Sequence, residues 1–180
     1  WLDVGWAQRL RLHLFALPSL VACAFLNNPV VRHEDVHRLV WRVYPYVREE
    51  LFLRWSEEEL PGVVDGVLDA LARYRLLERG ADGASWQRPT TGSGEAVRLS
   101  LLAQATIQIV ERYYLAIALL LHAGSAALTP EALEQSCVTT AQRMAILYGL
   151  AAPEFFDRAM FRAFIELLRR SAAIDYDIGN

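Results

Sequence analysis

The chain has 180 residues, 54% of them hydrophobic, with a net charge of −3 and a pI near 5.8. This is enough to bury one sizeable core or two small ones, and acids interspersed with arginines disfavour a duplex nucleic-acid binder, which needs a basic face. All 18 basic residues are arginine, which excludes a lysine Schiff base, a phosphate-loop lysine and a pyridoxal-phosphate lysine within this chain.

From Ala7 to Leu26 the pattern predicts a helix, with Pro18 forcing a kink or break. Its uncharged run, Leu14 to Leu26, has 13 residues, too few to span a bilayer. Arg9, Arg11 and His13 precede it, so peripheral contact with anionic lipid is one expectation and a buried core helix the other. Asn27, Asn28 and Pro29 read as a loop, followed by a second helix from about Glu34 to Leu53, bent at Pro45. At its start stands His33-Glu34-Asp35-Val36-His37, which matches H-E-x-x-H, with Glu57 at a plausible distance for a third ligand. Arg32, Asp35 and Arg38 make that turn a wet, charged surface, and charged residues are ordinary helix starters. The expectation is that His33 and His37 bind no zinc tightly.

Pro61 opens the third helix, where Val63, Val64, Val67, Leu68 and Leu71 share one face and Asp65, Asp69 and Arg73 the other. A shift of 97 residues without a gap places Met160, Phe161, Phe164, Ile165 and Leu168 in the same five slots. Leu77 then meets Ile174, and Val31 to Val36 meets Leu128 to Leu133, as in a duplicated helical module. After Leu77 a tight turn at Glu78 to Gly83 joins two short predicted strands, Leu76 to Arg79 and Ala84 to Arg88. Three helices and then a hairpin is a winged-helix order.

Val97 to His122 reads as one long helix. Tyr113 to Pro130 is free of charge for 18 residues, but His122, Gly124, Ser125 and Thr129 dilute it, so packing is expected rather than a membrane span. Thr129 and Pro130 form an N-cap and N1 for the next helix, and Pro153 opens the last. The fold expected is therefore mainly α: two duplicated, winged-helix-like modules with small β-hairpins, at 1–88 and 97–180, joined by a linker at 89–96. Cys23 and Cys137 lie in apolar surroundings and read as buried free thiols of a reducing compartment. Gly92-Ser93-Gly94 belongs to the linker and is not a nucleophile elbow. The candidate recognition helices carry Asp65, Asp69 and Arg73, or Asp157, Arg158, Arg162 and Glu166, and neither reads as a DNA reader.

Several segments carry a resemblance. Leu17-Pro18-Ser19-Leu20, Val43-Tyr44-Pro45, Glu50-Leu51-Phe52-Leu53-Arg54-Trp55 and Glu59-Leu60-Pro61 stand in the first half. Ala141-Gln142-Arg143-Met144, Leu147-Tyr148-Gly149-Leu150 and Ala152-Pro153-Glu154-Phe155-Phe156-Asp157 stand in the second. From about His13 to Ile174 the chain resembles the C-terminal region of the bacterial membrane-bound glycerol-3-phosphate 1-O-acyltransferases. The resemblance implies acyl transfer from acyl-CoA or acyl-carrier protein to the sn-1 hydroxyl of glycerol 3-phosphate, at the cytoplasmic face of the bacterial inner membrane. It implies a general-base histidine separated by four residues from an aspartate, and arginines for the phosphate. The corresponding positions after His13, His33, His37 and His122 hold Pro18, Arg38, Arg42 and Ala127. No catalytic, cofactor-binding or metal-binding residue is assigned to this chain, and no cofactor is expected. It starts at Trp1 with no Met, so it is expected to be a non-catalytic piece of a longer enzyme that docks on an upstream acyltransferase domain. The alternative is a stand-alone winged-helix interaction or DNA-binding module.

Overall fold

The computed structural model describes residues 15–123, 128–148 and 157–170. Within them, helix α1 occupies residues 15–23 and runs through Pro18 without the expected break. Its terminal carbonyls are satisfied by tight turns (Ala24 N–H to Val21 O, Phe25 N–H to Ala22 O) and by Asn28 Nδ2 donating to Ala24 O at 3.0 Å. The Arg9, Arg11 and His13 lipid contact lies outside the described residues.

Strand β1 (Val30–Arg32) runs into α2 (His33–Leu51), then come α3 (Leu60–Arg73), β2 (Glu78–Arg79) and β3 (Ser85–Gln87). The sheet is antiparallel with β3 central, between β1 and β2, so Trp86 pairs with Val31 on one side and Arg79 on the other. The predicted hairpin is present, and β1 adds a third strand between the Asn27–Pro29 loop and the helix expected from Glu34. The turn needs Gly83 at φ +66°, while Asp82 Oδ1 accepts from the Ala84 and Ser85 N–H groups and the Ser85 hydroxyl.

On α2, Val36, Val40, Tyr44, Val47 and Leu51 recur at helical spacing and are buried. The helix ends at Phe52, φ +52°, whose N–H bonds to Arg48 O. α3 is entered through reciprocal bonds of the S-x-x-E type: Ser56 N–H donates to Glu59 Oε2 at 2.8 Å, and Glu59 N–H to Ser56 Oγ at 3.3 Å. The Ser56 N–H holds the Glu59 carboxyl below its ordinary range. α3 buries Leu60, Val64, Leu68 and Leu71, and Leu76 N–H closes its end on Leu71 O.

Helix α4 (Gly94–Ala123) follows, then α5 (Pro130–Tyr148) and α6 (Arg158–Arg170). The chain forms two compact units, 1–107 and 108–180, with the division inside α4. Polar bonds tie the 89–96 stretch and the start of α4 into the first unit. Arg88 donates to Leu26 O at 2.9 Å and to Thr91 Oγ1 at 3.1 Å. Ser19 Oγ donates to Ala103 O at 3.2 Å and lies 2.8 Å from Thr106 Oγ1, all three residues being buried. In the second unit Tyr113 stacks on Phe164, with centroids 4.0 Å apart and planes at 12°.

Several buried positions recur at the 97-residue shift. His33 and Pro130, 97 residues apart, start α2 and α5. Val36, Val40 and Tyr44 are buried, and so are Leu133, Cys137 and Ala141; Val64, Leu68 and Leu71 match Phe161, Ile165 and Leu168. The match is looser at Val67, half-buried where Phe164 is buried. The helix opening expected at Pro153, Ile174 and any hairpin after α6 lie outside the described residues; Asp157 Oδ1 accepts the Ala159 N–H at 2.8 Å at the start of α6.

Candidate functional site

The first unit holds a polar cluster where the sheet meets α2 and α3. Because β1 leads directly into α2 and pairs with β3, His33 starts the helix beside the indole of Trp86, whose Nε1 donates to His33 Nδ1 at 3.1 Å. His37 follows one turn later, its ring centroid 4.6 Å from that of His33. Asp65 follows the buried Val64 on α3, and its Oδ1 lies 2.7 Å from His37 Nε2, a hydrogen bond, and 3.2 Å from His33 Nε2. The three ligand-type atoms lie within 4.8 Å of one another. The Arg79 guanidinium covers the Trp86 ring at 4.8 Å.

The acids of the motif face elsewhere. Glu34, which an H-E-x-x-H enzyme would use as base, lies against Arg32 at 2.5 Å. Asp35 accepts two bonds from Arg32, at 2.8 and 3.2 Å, and one from Arg38 at 2.7 Å. The Arg32 hydrogen bond holds its carboxyl below the usual carboxylate range. Glu57 is exposed in the turn before α3, and Asp65 stands where the sequence reading considered Glu57. Beside the cluster a groove of about 290 Å³ is lined by Glu34, His37, Arg38, Trp41, Leu60, Pro61 and Val64.

Asp65 and Trp86 were missed as partners of the two histidines, since 28 and 53 residues separate them from His37 and His33. A signal existed in the repeat. Positions 37 and 65 correspond, 97 residues on, to Glu134 and Arg162, an opposite-charge pair. In the second unit Arg162 does grip Glu134 in two bonds, 2.8 and 3.1 Å, with Arg158 at 3.5 Å from the same carboxylate. The same slot thus clasps one helix to the next in both units, a structural role for His37 and Asp65.

The Arg162 hydrogen bond holds the Glu134 carboxyl below its ordinary range. A depressed carboxyl contributes stability above the unfolded pKa and loses it as pH falls through the folded one. Glu134→Gln is expected to cost about 1–3 kcal/mol at neutral pH, and the gap to wild type should close below about pH 4. Urea unfolding of both proteins at several pH values measures it; a gap that persists unchanged in acid would reject the ionic account.

The other nucleophile candidates are occupied. Cys137 is buried, and burial, with Glu134 nearby, pushes its thiol up to about 12. Cys23 is half-buried, its Sγ 3.6 Å from Ala103 O. Ser93 Oγ accepts the Ala96 N–H at 3.1 Å as an N-cap of α4.

No solved structure matches the chain. A glycerol-3-phosphate acyltransferase of Pseudomonas paraeruginosa is 48% identical over 157 residues, covering 87% of this chain and 19% of that protein. One from Ectopseudomonas mendocina is 43% identical over 166 residues, covering 92% and 20%, and one from Pseudomonas syringae pv. tomato 46% identical over 157, covering 87% and 19%. The chain thus spans about a fifth of the length of these relatives. The family described as the glycerol-3-phosphate acyltransferase C-terminal region matches residues 11–177, and the chain belongs to it.

Proposed function

We propose that this chain is a non-catalytic scaffold of a glycerol-3-phosphate 1-O-acyltransferase, docking on an acyltransferase domain of the same longer polypeptide. That enzyme moves an acyl group from acyl-CoA or acyl-carrier protein to the sn-1 hydroxyl of glycerol 3-phosphate, at the cytoplasmic face of a bacterial inner membrane. One observation carries the reading. The acid–base side chains of the cluster at the start of α2 are engaged: Glu34 with Arg32, Asp35 with Arg32 and Arg38, and His33 and His37 with Asp65. Both ring nitrogens of His33 are engaged, Nε2 by Asp65 and Nδ1 by the Trp86 N–H, so this imidazole is not open to a substrate hydroxyl. Among the described residues no helix is long and apolar enough to cross a membrane.

The order of helix, strand, two helices and hairpin supports an interaction module, as in winged-helix proteins. The outward face of α3 carries Asp65, Asp69 and Arg73, all exposed, which favours a protein surface over DNA as its partner.

The test uses radiolabelled glycerol 3-phosphate with palmitoyl-CoA and lipid extraction. The 180-residue chain, shown to be folded by circular dichroism, is expected to make no lysophosphatidic acid, and the longer polypeptide to make it. Positioned acid–base groups alone supply about 10²–10⁴-fold, so the contrast is well above background. Product from this chain alone would place the active site within it.

A further inference from the structure

Two imidazoles one helical turn apart and a carboxylate from a second helix form a donor set suited to a divalent cation of the zinc class. His33 Nε2, His37 Nε2 and Asp65 Oδ1 converge in this way, within 4.8 Å of one another. Their side chains are 39%, 24% and 52% exposed, so a cation held by the three would keep an open position toward solvent. The spacing is adequate. The proton on His33 decides the matter.

A neutral imidazole that ligates through Nε2 carries its proton on Nδ1, where it requires an acceptor. Trp86 Nε1 stands at that place, 3.1 Å from His33 Nδ1, and an indole N–H can only donate. The indole has little freedom to turn away: Trp86 is 2% exposed, sits on the central strand paired on both sides, and lies under the Arg79 guanidinium. Nδ1 therefore accepts, and the proton of neutral His33 sits on Nε2, facing Asp65.

We propose that His33, His37 and Asp65 form a divalent-metal site that Trp86 holds closed, by fixing the His33 proton on the nitrogen a metal would need. Metal bound to the unaltered site would set two N–H donors, His33 Nδ1 and Trp86 Nε1, against each other, leaving a buried donor without an acceptor. The penalty for such a donor corresponds to about 10–100-fold in affinity. Replacing the indole by a ring without an N–H frees Nδ1 and opens the site. Trp86 is a positioning residue for this cluster.

The experiment measures Zn²⁺ by calorimetry and Co²⁺ by visible absorption in the full polypeptide containing this chain, with and without Trp86→Phe. The variant is expected to bind about 10–100-fold more tightly than the parent, and adding His37→Ala should abolish the gain. Equal affinity in parent and Trp86→Phe overturns the proposal, as does stoichiometric zinc held by the parent and lost on His37→Ala. Trp86 is a core residue, so a second measurement needs no variant: long-range proton–nitrogen correlation of ¹⁵N-histidine-labelled protein. Nδ1 of His33 is expected bare and Nε2 protonated; a protonated Nδ1 rejects the lock whatever the variant does.

Discussion

Phe161→Ala is expected to be among the most destabilising single changes in the second unit, costing about 3–5 kcal/mol. Phe161 is fully buried on α6, one turn from Phe164, whose ring stacks on Tyr113, and Ile165 and Leu168 continue the same buried face. Truncation at such a site loses both the transfer free energy of the ring and the contacts of the atoms lining the void. Total stabilities are of the order of 5–15 kcal/mol, so the loss is a large share, and the melting temperature should fall by on the order of 10 °C. Ala163→Ser, at an exposed position on the same helix, is the control and should stay within about 0.5 kcal/mol. Thermal and urea unfolding of both variants give the comparison. A Phe161→Ala cost near that of the control would mean that α6 does not pack on this face.

Much of the helical frame is legible in the residues, because burial repeats with the helical period and proline or a polar cap marks several starts. Val64, Leu68 and Leu71, with their counterparts Phe161, Ile165 and Leu168, show it. What escaped is of two kinds. Strand β1 is three residues long and lacks the alternation a pattern can detect; its hydrogen bonds go to β3, more than 50 residues away. The second kind is convergence. Nothing local ties Trp86 to His33 or Asp65 to His37, since those pairs form only when the sheet and two helices have assembled. The capping pair Ser56 and Glu59 is a different case, since S-x-x-E was readable and only Pro61 drew notice as the helix start. The family was legible through clusters such as Glu50 to Trp55 and Ala152 to Asp157, whose order and spacing are more distinctive than any single motif.

Tyr44→Ala is the corresponding change in the first unit, and its size tests how alike the two helix pairs are. Tyr44 is fully buried on α2, and its hydroxyl donates to Trp55 O at 2.9 Å, fastening the 52–59 connection to the helix. Burial raises the pKa of the phenol, so it remains a donor at neutral pH. Loss of the ring should cost about 3–5 kcal/mol. Tyr44→Phe keeps the ring and leaves the Trp55 carbonyl without this donor, for about 1–2 kcal/mol. The counterpart 97 residues on, Ala141, is equally buried but small. The two cores therefore share slots and differ in volume, so Ala141→Tyr should overpack its site by 1 kcal/mol or more, on the order seen for enlarged core residues. Urea unfolding measures all three, with unchanged m values indicating that only stability has moved. If Tyr44→Phe costs as much as Tyr44→Ala, the hydroxyl outweighs the ring, and the loop bond rather than the packed face holds α2 in place.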